Sequence, residues 1–387
     1  MGNIKKIFKE NITQYSMIIA LVGIMVYFQI ATGGILFKPL NITNLILQNS
    51  YILILAIGML LVIVAFQIDL SVGSVAAVLG ALAGIMIINN HISVPLGIAI
   101  VLLVGAVIGA WQGFWIAYVR IPAFITTLAG MMVFRGLTYV SLNGTSIAPF
   151  PRSFQIMSNG FIPDLFNGNG IHITTLVIGL LITIFYIILE IKKRAAQKKY
   201  NFEVSNPVLL ILKMSAIVIV INEFCYVMAR YKGLPNVLVL LGILVAIYTF
   251  ITTKTTFGRH IYALGGNEKA ARLSGVKTKW VVFMVFVNMG VLAALAGLVF
   301  AARLNSATPN AGVNFELDAI AACFIGGAST AGGIGTIMGA MIGGLFMGVM
   351  NNGMSLMGVG IDWQQTIKGL VLLLAVAFDV YSKSKTA

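Results

Sequence analysis

The sequence has few charged residues for its length. Asp, Glu, Lys and Arg make up only 9% of its 387 residues, whereas hydrophobic residues make up 59%. A soluble domain carries about a quarter charged residues because its surface faces water. This shortage excludes a water-soluble globular protein and indicates that most of the chain's surface faces lipid.

The residues that usually carry redox, metal or nucleotide chemistry are scarce as well. The two cysteines, Cys225 and Cys323, lie in separate apolar runs, and the three histidines show no metal-ligand spacing, so we expect neither a disulfide nor a metal site. The chain has no Gly-Lys dipeptide and therefore no P-loop that could bind ATP phosphates. We expect no catalytic residue, no enzyme activity and no cofactor bound by this chain.

The net charge of +14 raises the question of nucleic-acid binding. Such proteins concentrate Lys and Arg on one soluble face. Here the basic residues occupy short segments between apolar runs of about 20 residues, the length that spans a bilayer. That distribution is typical of membrane topology signals, and we expect no nucleic-acid partner.

Apolar runs account for nearly the whole chain. They predict an all-α, polytopic membrane protein with about twelve transmembrane helices in a single membrane-spanning domain over residues 1–387. The predicted spans are 14–34, 43–67, 71–88, 94–119, 123–141, 172–191, 207–229, 234–253, 280–303, 317–331, 333–352 and 363–381. All nine prolines fall at span ends or in loops, as expected for a residue that breaks the helical hydrogen-bond ladder.

The distribution of Lys and Arg orients these spans. With the amino terminus in the cytoplasm, 17 of the 25 basic residues lie in cytoplasmic segments, five in outer segments and three within spans. This bias follows the positive-inside rule. It predicts that both termini, and the loop 254–279, are cytoplasmic.

Two runs of glycines at intervals of four predict close helix packing. They are Gly105, Gly109 and Gly113 in one span and Gly335, Gly339 and Gly343 in another. Each run follows a stretch that contains an aspartate, Asp69 or Asp318. In the predicted topology the spans after these two aspartates run in opposite directions, and so do the two glycine-rich spans. This arrangement suggests an inverted repeat, a common plan for transporters, although each run alone fits ordinary helix packing.

Asp69 lies where two apolar runs meet, and two interpretations of it remain open. In the functional one, Asp69 and Ser71 cap the following helix at a break beside a translocation path. In the other, Asp69 only caps that helix at the cytoplasmic interface.

The loop 254–279 contains a predicted short helix outside the membrane. A Gly265-Gly266 turn precedes Asn267, a favourable N-cap, and Gly275 suits the position after the helix C-terminus. Glu268 suits the positive end of the helix dipole. The segment is either a connector or a helix that docks on a partner, with Ala270 and Ala271 on its surface.

This loop, Asp-Leu-Ser-Val-Gly-Ser at 69–74 and Glu-Leu-Asp-Ala-Ile-Ala-Ala at 316–322 together resemble the monosaccharide permeases of ATP-binding-cassette importers. The resemblance covers nearly the whole chain. It implies a multi-pass protein of the bacterial cytoplasmic membrane, with three kinds of protein partner: a second permease copy in a homodimer, an ATPase subunit that binds ATP and Mg, and an extracytoplasmic sugar-binding protein.

In this family the cytoplasmic loop couples the permease to the ATPase. The resemblance places that role on Arg259, Gly265, Gly266, Asn267, Glu268, Lys269, Ala270, Ala271, Arg272, Ser274 and Gly275. Shorter relatives have about ten spans, and the two extra spans here resemble the branch that carries xylose or multiple sugars. The basic run 192–199 between them predicts contact with anionic membrane lipid.

A neutral sugar requires hydroxyl and amide partners along its path. Ser71, Ser74 and Asn143 are the predicted contacts, with Asp69 and Asp318 at the candidate helix breaks. Two alternatives stay open: a secondary transporter with Asp69 as a proton or sodium site, and an importer of the same type for branched-chain amino acids or nucleosides.

Overall fold

The computed structural model describes residues 12–166, 168, 170–202, 204 and 206–384. Within these ranges every regular element is a helix, accompanied by two isolated β-bridges. The prediction of an all-α fold is confirmed. The extreme termini, 1–11 and 385–387, lie outside the described residues.

Fifteen helices make up this part of the chain, and two of them continue into one turn of π-helix. They are α1 (Ile12–Ala31), α2 (Pro39–Val64), α3 (Val72–Gly84, continued by Ile85–Asn89), α4 (Val94–Phe114, continued by Trp115–Val119), α5 (Ala123–Leu142), α6 (Arg152–Asn159), α7 (Ile173–Lys199), α8 (Pro207–Ala229), α9 (Asn236–Lys254), α10 (Thr256–Gly266), α11 (Glu268–Leu273), α12 (Thr278–Leu304), α13 (Phe315–Ile325), α14 (Ile337–Leu356) and α15 (Ile361–Ser384).

Nine of the helices in the described ranges are long and apolar enough to cross a bilayer. The other three predicted spans correspond to α1, α13 and α15. The prediction for 317–331 is wrong in its extent, because α13 ends at Ile325 after 11 residues. At 1.5 Å per residue it covers only about half of a bilayer's hydrocarbon core.

The helices pack in two halves with the same contact pattern. Helices α2 to α5 correspond in order to α12 to α15. The first short helix of each half, α3 or α13, packs on the long helix of the other half, α12 or α2, and on the last helix of its own half, α5 or α15. This pattern agrees with an inverted repeat. The core lies along α2 and α12, which are buried over most of their length.

The short helices α3 and α13 begin next to each other inside the protein. The chain leaves α12 at Leu304 and returns along α3 before α13 starts. A Cβ atom on Gly73 would lie 2.2 Å from the Gly312 carbonyl oxygen and 2.5 Å from Glu316 Oε2. Arg135 of α5 donates hydrogen bonds to the carbonyls of Ala311 and Gly312 and so holds this segment. Helical structure is therefore interrupted within the membrane domain before α3 and before α13, at the junction between the two halves. We call α3 and α13 the broken helices.

The first glycine run brings α4 against α12. Cβ atoms on Gly105 and Gly109 would lie 2.6 Å and 2.3 Å from the carbonyl oxygens of Gly290 and Phe286, and one on Gly113 would lie 2.9 Å from that of Phe283. In the second run, Gly339 and Gly343 of α14 pack on α13. Gly335 precedes α14 instead of lying within it, and its φ of 155° places it in the region that favours glycine.

Gly109→Ala is expected to destabilise the protein because its methyl group would force α4 and α12 apart. Overpacking of this kind costs about 1–3 kcal/mol, which would lower the unfolding temperature measured by fluorescence in detergent. Gly242→Ala is the matched control, since a Cβ there meets nothing within 4 Å. Equal unfolding temperatures for the two variants would contradict the packing.

A carboxylate organises the outer loop that precedes α7. Asp164 accepts hydrogen bonds from the Thr174 hydroxyl at 2.7 Å, from the Thr174 amide at 3.0 Å and from the amides of Phe166, Gly168 and Ile173. Desolvation raises the pKa of Asp164, but the hydrogen bonds from Thr174, Gly168 and Phe166 outweigh it and hold the pKa well below its ordinary value. These bonds fix the loop on the start of α7.

The pH dependence of this loop follows from the lowered pKa. A carboxylate with a lowered pKa contributes its stability at any pH above its unfolded value, about 4, and loses it only as the pH falls through the folded value. Hydrogen exchange of the Gly168 and Thr174 amides is therefore expected to show unchanged protection factors between pH 8 and pH 5. Asp164→Asn should raise exchange there across that range. A loss of protection in the unmodified protein near pH 6 would refute the assignment.

Candidate functional site

Asp69 is buried in a polar network at the entrance to α3. Its Oδ1 accepts hydrogen bonds from the Ser71 amide at 2.8 Å and the Ser71 hydroxyl at 2.6 Å, and Gln112 Nε2 donates to that hydroxyl at 2.7 Å. Ser71 is the residue before the helix, but its side chain makes no capping hydrogen bond. Of the two interpretations of Asp69, the one in which Ser71 also caps α3 is therefore wrong in that respect, because the Ser71 hydroxyl is engaged by Asp69 and Gln112.

Asp318 lies in the first turn of α13, and its partner is on the last helix. Lys368 Nζ is 3.0 Å from Asp318 Oδ1 and 3.2 Å from Oδ2. The two side chains line a cavity of about 70 Å³ together with Asn314 and Gln365. The sequence pattern gave no indication of this pairing, because the residues are 50 positions apart.

The predicted sugar contacts do not form one continuous lining. Ser71 and Ser74 are fully buried at the start of α3, and the Ser74 hydroxyl has no partner within the described residues. Asn143 is exposed at the outer end of α5. The Ser71 side chain instead approaches Gly130 of α5, about 20 Å along the helix from Asn143. Any role for Asn143 must therefore be separate from that of Ser71 and Ser74.

The short helix predicted in the cytoplasmic loop is present as α11. Asn267 Oδ1 accepts a hydrogen bond from the Ala270 amide at 3.0 Å, and Gly275 follows with a φ of 86°. The loop also contains α10, which the sequence did not predict. Gly265 and Gly266 are its last two residues, so the predicted Gly265-Gly266 turn is wrong.

Helix α10 is attached to the broken part of the membrane domain. Tyr262 donates a hydrogen bond to the Gly335 carbonyl at 2.7 Å, and the Gly333 amide donates to the Val64 carbonyl at 2.9 Å. A Cβ on Gly265 would lie 1.6 Å from the Val64 oxygen. Gly265 therefore faces the membrane domain, where it cannot contact a partner, contrary to the role predicted for it.

Helix α11 presents most of the residues predicted for coupling to solvent. The exposed ones are Gly266, Asn267, Glu268, Lys269, Ala270, Arg272, Ser274 and Gly275, and Arg259 of α10 is exposed as well. Ala271 is only 5% exposed, so its predicted place on the partner-facing surface is wrong. Leu273, which the sequence reasoning missed, is 87% exposed because it ends the helix on the side opposite the membrane domain.

A basic groove runs beside α11. It has a volume of about 790 Å³, and the cations that line it are Arg120, Lys269, Arg272, Lys277 and Lys279. Glu268 also lines the groove. An exposed leucine beside a positively charged groove is suited to a protein partner with an apolar pocket and acidic surroundings.

Helices α7 and α8 form a peripheral hairpin. They pack chiefly on each other. Only 22% of the residues in the most apolar part of α7, and 6% of those in α8, are buried inside the protein. Helix α7 runs on to Lys199 and carries the basic run 192–199 past the length that a bilayer requires. The hairpin meets the core mainly at its outer end, where Met228 of α8 is fully buried and Thr43 of α2 donates a hydrogen bond to its sulfur at 3.7 Å.

Comparison with known proteins gives consistent matches over nearly the whole chain. Residues 41–376 match the family described as the permease component of branched-chain amino acid transport systems. The xylose transport system permease protein XylH of Haemophilus influenzae is 38% identical over 98% of this chain and 99% of its own length. XylH of Escherichia coli K12 is 37% identical over 97% of this chain and 94% of its own.

The ribose import permease protein RbsC of Escherichia coli K12 is 36% identical over 88% of this chain and 85% of its own length. No solved structure matches the chain. The broken helices, the cytoplasmic helix α11 and these full-length similarities lead to one assignment. The chain belongs to the permease family of ATP-binding-cassette importers for monosaccharides.

Proposed function

We propose that this chain is the membrane permease of an importer that takes up a pentose, with xylose as the first candidate. The observation that carries the proposal is the similarity to two xylose permeases, which extends through the α7–α8 hairpin to almost the full length of both. The path for the sugar runs beside the broken helices α3 and α13.

The working complex contains two copies of this chain. An extracytoplasmic sugar-binding protein docks on the outer loops, and an ATPase that holds ATP and Mg docks on α11. Leu273 enters a pocket of the ATPase, and the cations of the adjacent groove meet acidic residues. Anionic lipid contacts the basic run 192–199.

Movement of α11 reaches the path through α10. Tyr262 and Gly265 hold α10 on the segment 332–335 and on the end of α2, and that segment joins α13 to α14. A shift of α10 therefore moves both sides of the break. The outer opening closes as the inner one opens, as alternating access requires.

Substrate and energy source are tested together in proteoliposomes that contain the permease, its ATPase and its binding protein. Xylose uptake is expected to require ATP and the binding protein and to resist a protonophore. ATP-independent uptake that the protonophore abolishes would establish the secondary-transporter alternative.

The cargo is decided by titrating the binding protein with xylose, ribose, galactose, leucine and a nucleoside. The description of the matched family makes a branched-chain amino acid the second candidate. Saturable binding of xylose at far lower concentrations than leucine supports the proposal, and the reverse order overturns it.

The coupling surface is tested by co-purification of the ATPase. Leu273→Ser and the double variant Glu268→Ala/Arg272→Ala are expected to reduce ATPase recovery by at least about tenfold, the effect of losing one good interface anchor. Phe202→Ser is the matched control, since Phe202 is a 66% exposed apolar residue in another cytoplasmic loop. Undiminished recovery and uptake in the α11 variants would refute this docking site.

A further inference from the structure

Three polar side chains meet on one outward face of the membrane domain. Tyr139 of α5 donates a hydrogen bond to Asn310 Oδ1 at 2.8 Å. One turn below, Arg135 binds the carbonyls of Ala311 and Gly312. Helix α5 thus holds the segment 310–312 at two points, through residues four apart on the same helix face.

This cluster is open to the outside of the chain at membrane depth. Tyr139 is 44% exposed and Asn310 is exposed. Tyr139 and Arg135 are three and seven residues from the outer end of α5, which places them about 5 Å and about 10 Å below that end. Met132, on the same stripe of α5, is 69% exposed. An amide at this depth is costly against hydrocarbon, so this face requires water, ligand or protein.

On the extracytoplasmic side of the cluster, hydrogen bonds join the loop after α5 to the chain that follows α12. Ile147 and Ala307 form an isolated β-bridge with hydrogen bonds of 3.0 and 2.9 Å, and the Phe150 amide donates to Asn305 Oδ1 at 2.8 Å. The outer loop after α5 is thereby fastened to the chain just before Asn310. The cluster lies directly inside this fastening.

The chemistry that the cluster offers is neutral. The charge of Arg135 is directed at two backbone carbonyls, and the nearest carboxylates of α13, Glu316 and Asp318, are 8% and 3% exposed. What remains on the surface is the phenol ring and oxygen of Tyr139 and the Asn310 Nδ2 donors, which the bond to Tyr139 leaves unused. An aromatic ring beside an amide suits an uncharged polyol, whereas an amino acid would require groups that pair with its ammonium and carboxylate.

From this geometry we propose that Tyr139 and Asn310 contact the sugar on its way through the membrane, with Arg135 positioning Asn310. This inference rests on the proposed function, in which the opposite wall of the path is supplied by the second copy. It names a neutral monosaccharide as the ligand of a site formed by α5 and the segment 310–312.

Cysteine labelling tests whether this face meets water. In a background with Cys225→Ala and Cys323→Ala, Asn310→Cys and Met132→Cys are treated with a membrane-impermeant sulfonated maleimide in the assembled transporter. Leu181→Cys is the lipid-facing control for Met132→Cys, since Leu181 is 60% exposed on α7, about 12 Å below the outer end. Tyr226→Cys is the control for Asn310→Cys, since Tyr226 is 43% exposed on α8, about 5 Å below its outer end. We expect each reporter to react at least tenfold faster than its control in one of the ATP-free or ATP-bound states. Rates equal to the controls in both states overturn the proposal.

Uptake measurements test the contact itself. Tyr139→Phe and Asn310→Ala are expected to lower the xylose uptake rate about fivefold to tenfold, the effect of losing one hydrogen bond, while the variants retain ATP hydrolysis. Tyr27→Phe, at a 59% exposed tyrosine of α1, is the control. Labelled reporters combined with unchanged uptake in both variants overturn the sugar contact.

Failure of the proposed function is distinguishable from failure of this inference. If the unmodified transporter takes up no monosaccharide at all, the function is wrong. The labelling result still decides separately whether the face of Tyr139 and Asn310 lines an aqueous path.

Discussion

Gly265→Ala is expected to disable the protein, whereas Gly266→Ala should leave it intact. A Cβ on Gly265 would lie 1.6 Å from the Val64 carbonyl oxygen and 2.7 Å from the Gly333 amide nitrogen. Both neighbours are backbone atoms, so no side-chain rotation relieves the clash. Helix α10 would have to move away from the membrane domain.

That displacement would break the hydrogen bond between Tyr262 and Gly335, the direct connection from the cytoplasmic loop to the broken helix pair. We expect a loss of at least about 3 kcal/mol, the upper range for overpacking, seen as a lower unfolding temperature in detergent. Sugar uptake per folded transporter should fall as well, because the connection between α10 and the sugar path is lost.

Gly266 provides the control within the same helix. A Cβ there meets nothing within 4 Å, and alanine is favourable at a helical position. If Gly265→Ala and Gly266→Ala unfold at the same temperature and transport equally well, the packing of α10 on α2 is not as described.

The sequence predicted features that depend on local patterns. Apolar length gave the spans, the Lys and Arg count gave a topology, and Asn267 and Gly275 gave both ends of α11. Each of these signals resides within a short stretch of chain, so physical rules for local structure are sufficient to interpret it.

The features that the sequence did not predict depend on contacts between distant residues. The length of α13 was missed because residues 326–331 are small and uncharged and so do not interrupt an apolar run, yet Gly327 has a φ of 78°, which ends the helix. Gly265 and Gly266 were interpreted as a turn because glycine usually marks one. Here, Gly265 is required for a backbone approach that no local pattern reveals. Ala271 was wrongly predicted to lie on the surface because its burial depends on how α11 packs on the membrane domain, which no local pattern indicates.

The ion pair between Asp318 and Lys368 supports the second large prediction. Asp318 is 4% exposed and Lys368 24% exposed at the side chain, so water compensates little if one partner is removed. Lys368→Met is expected to destabilise the protein by about 3–5 kcal/mol, because it leaves an uncompensated charge buried next to α13. The contacts of α15 are mainly with α13, so the last helix should detach first and become sensitive to limited proteolysis.

A double-variant cycle separates the charge from the loss of packing. Asp318→Asn/Lys368→Met removes both charges and is expected to recover a large part of the stability that Lys368→Met loses, because a neutral amide is less costly to bury than an unpaired carboxylate. Lys213→Met is the control: it breaks the ion pair with Glu190, in which the lysine is 54% exposed, and should cost about 1 kcal/mol at most. The prediction fails if Lys368→Met and Lys213→Met unfold at the same temperature and if adding Asp318→Asn to Lys368→Met recovers no stability. The ion pair would then not hold α15 to α13.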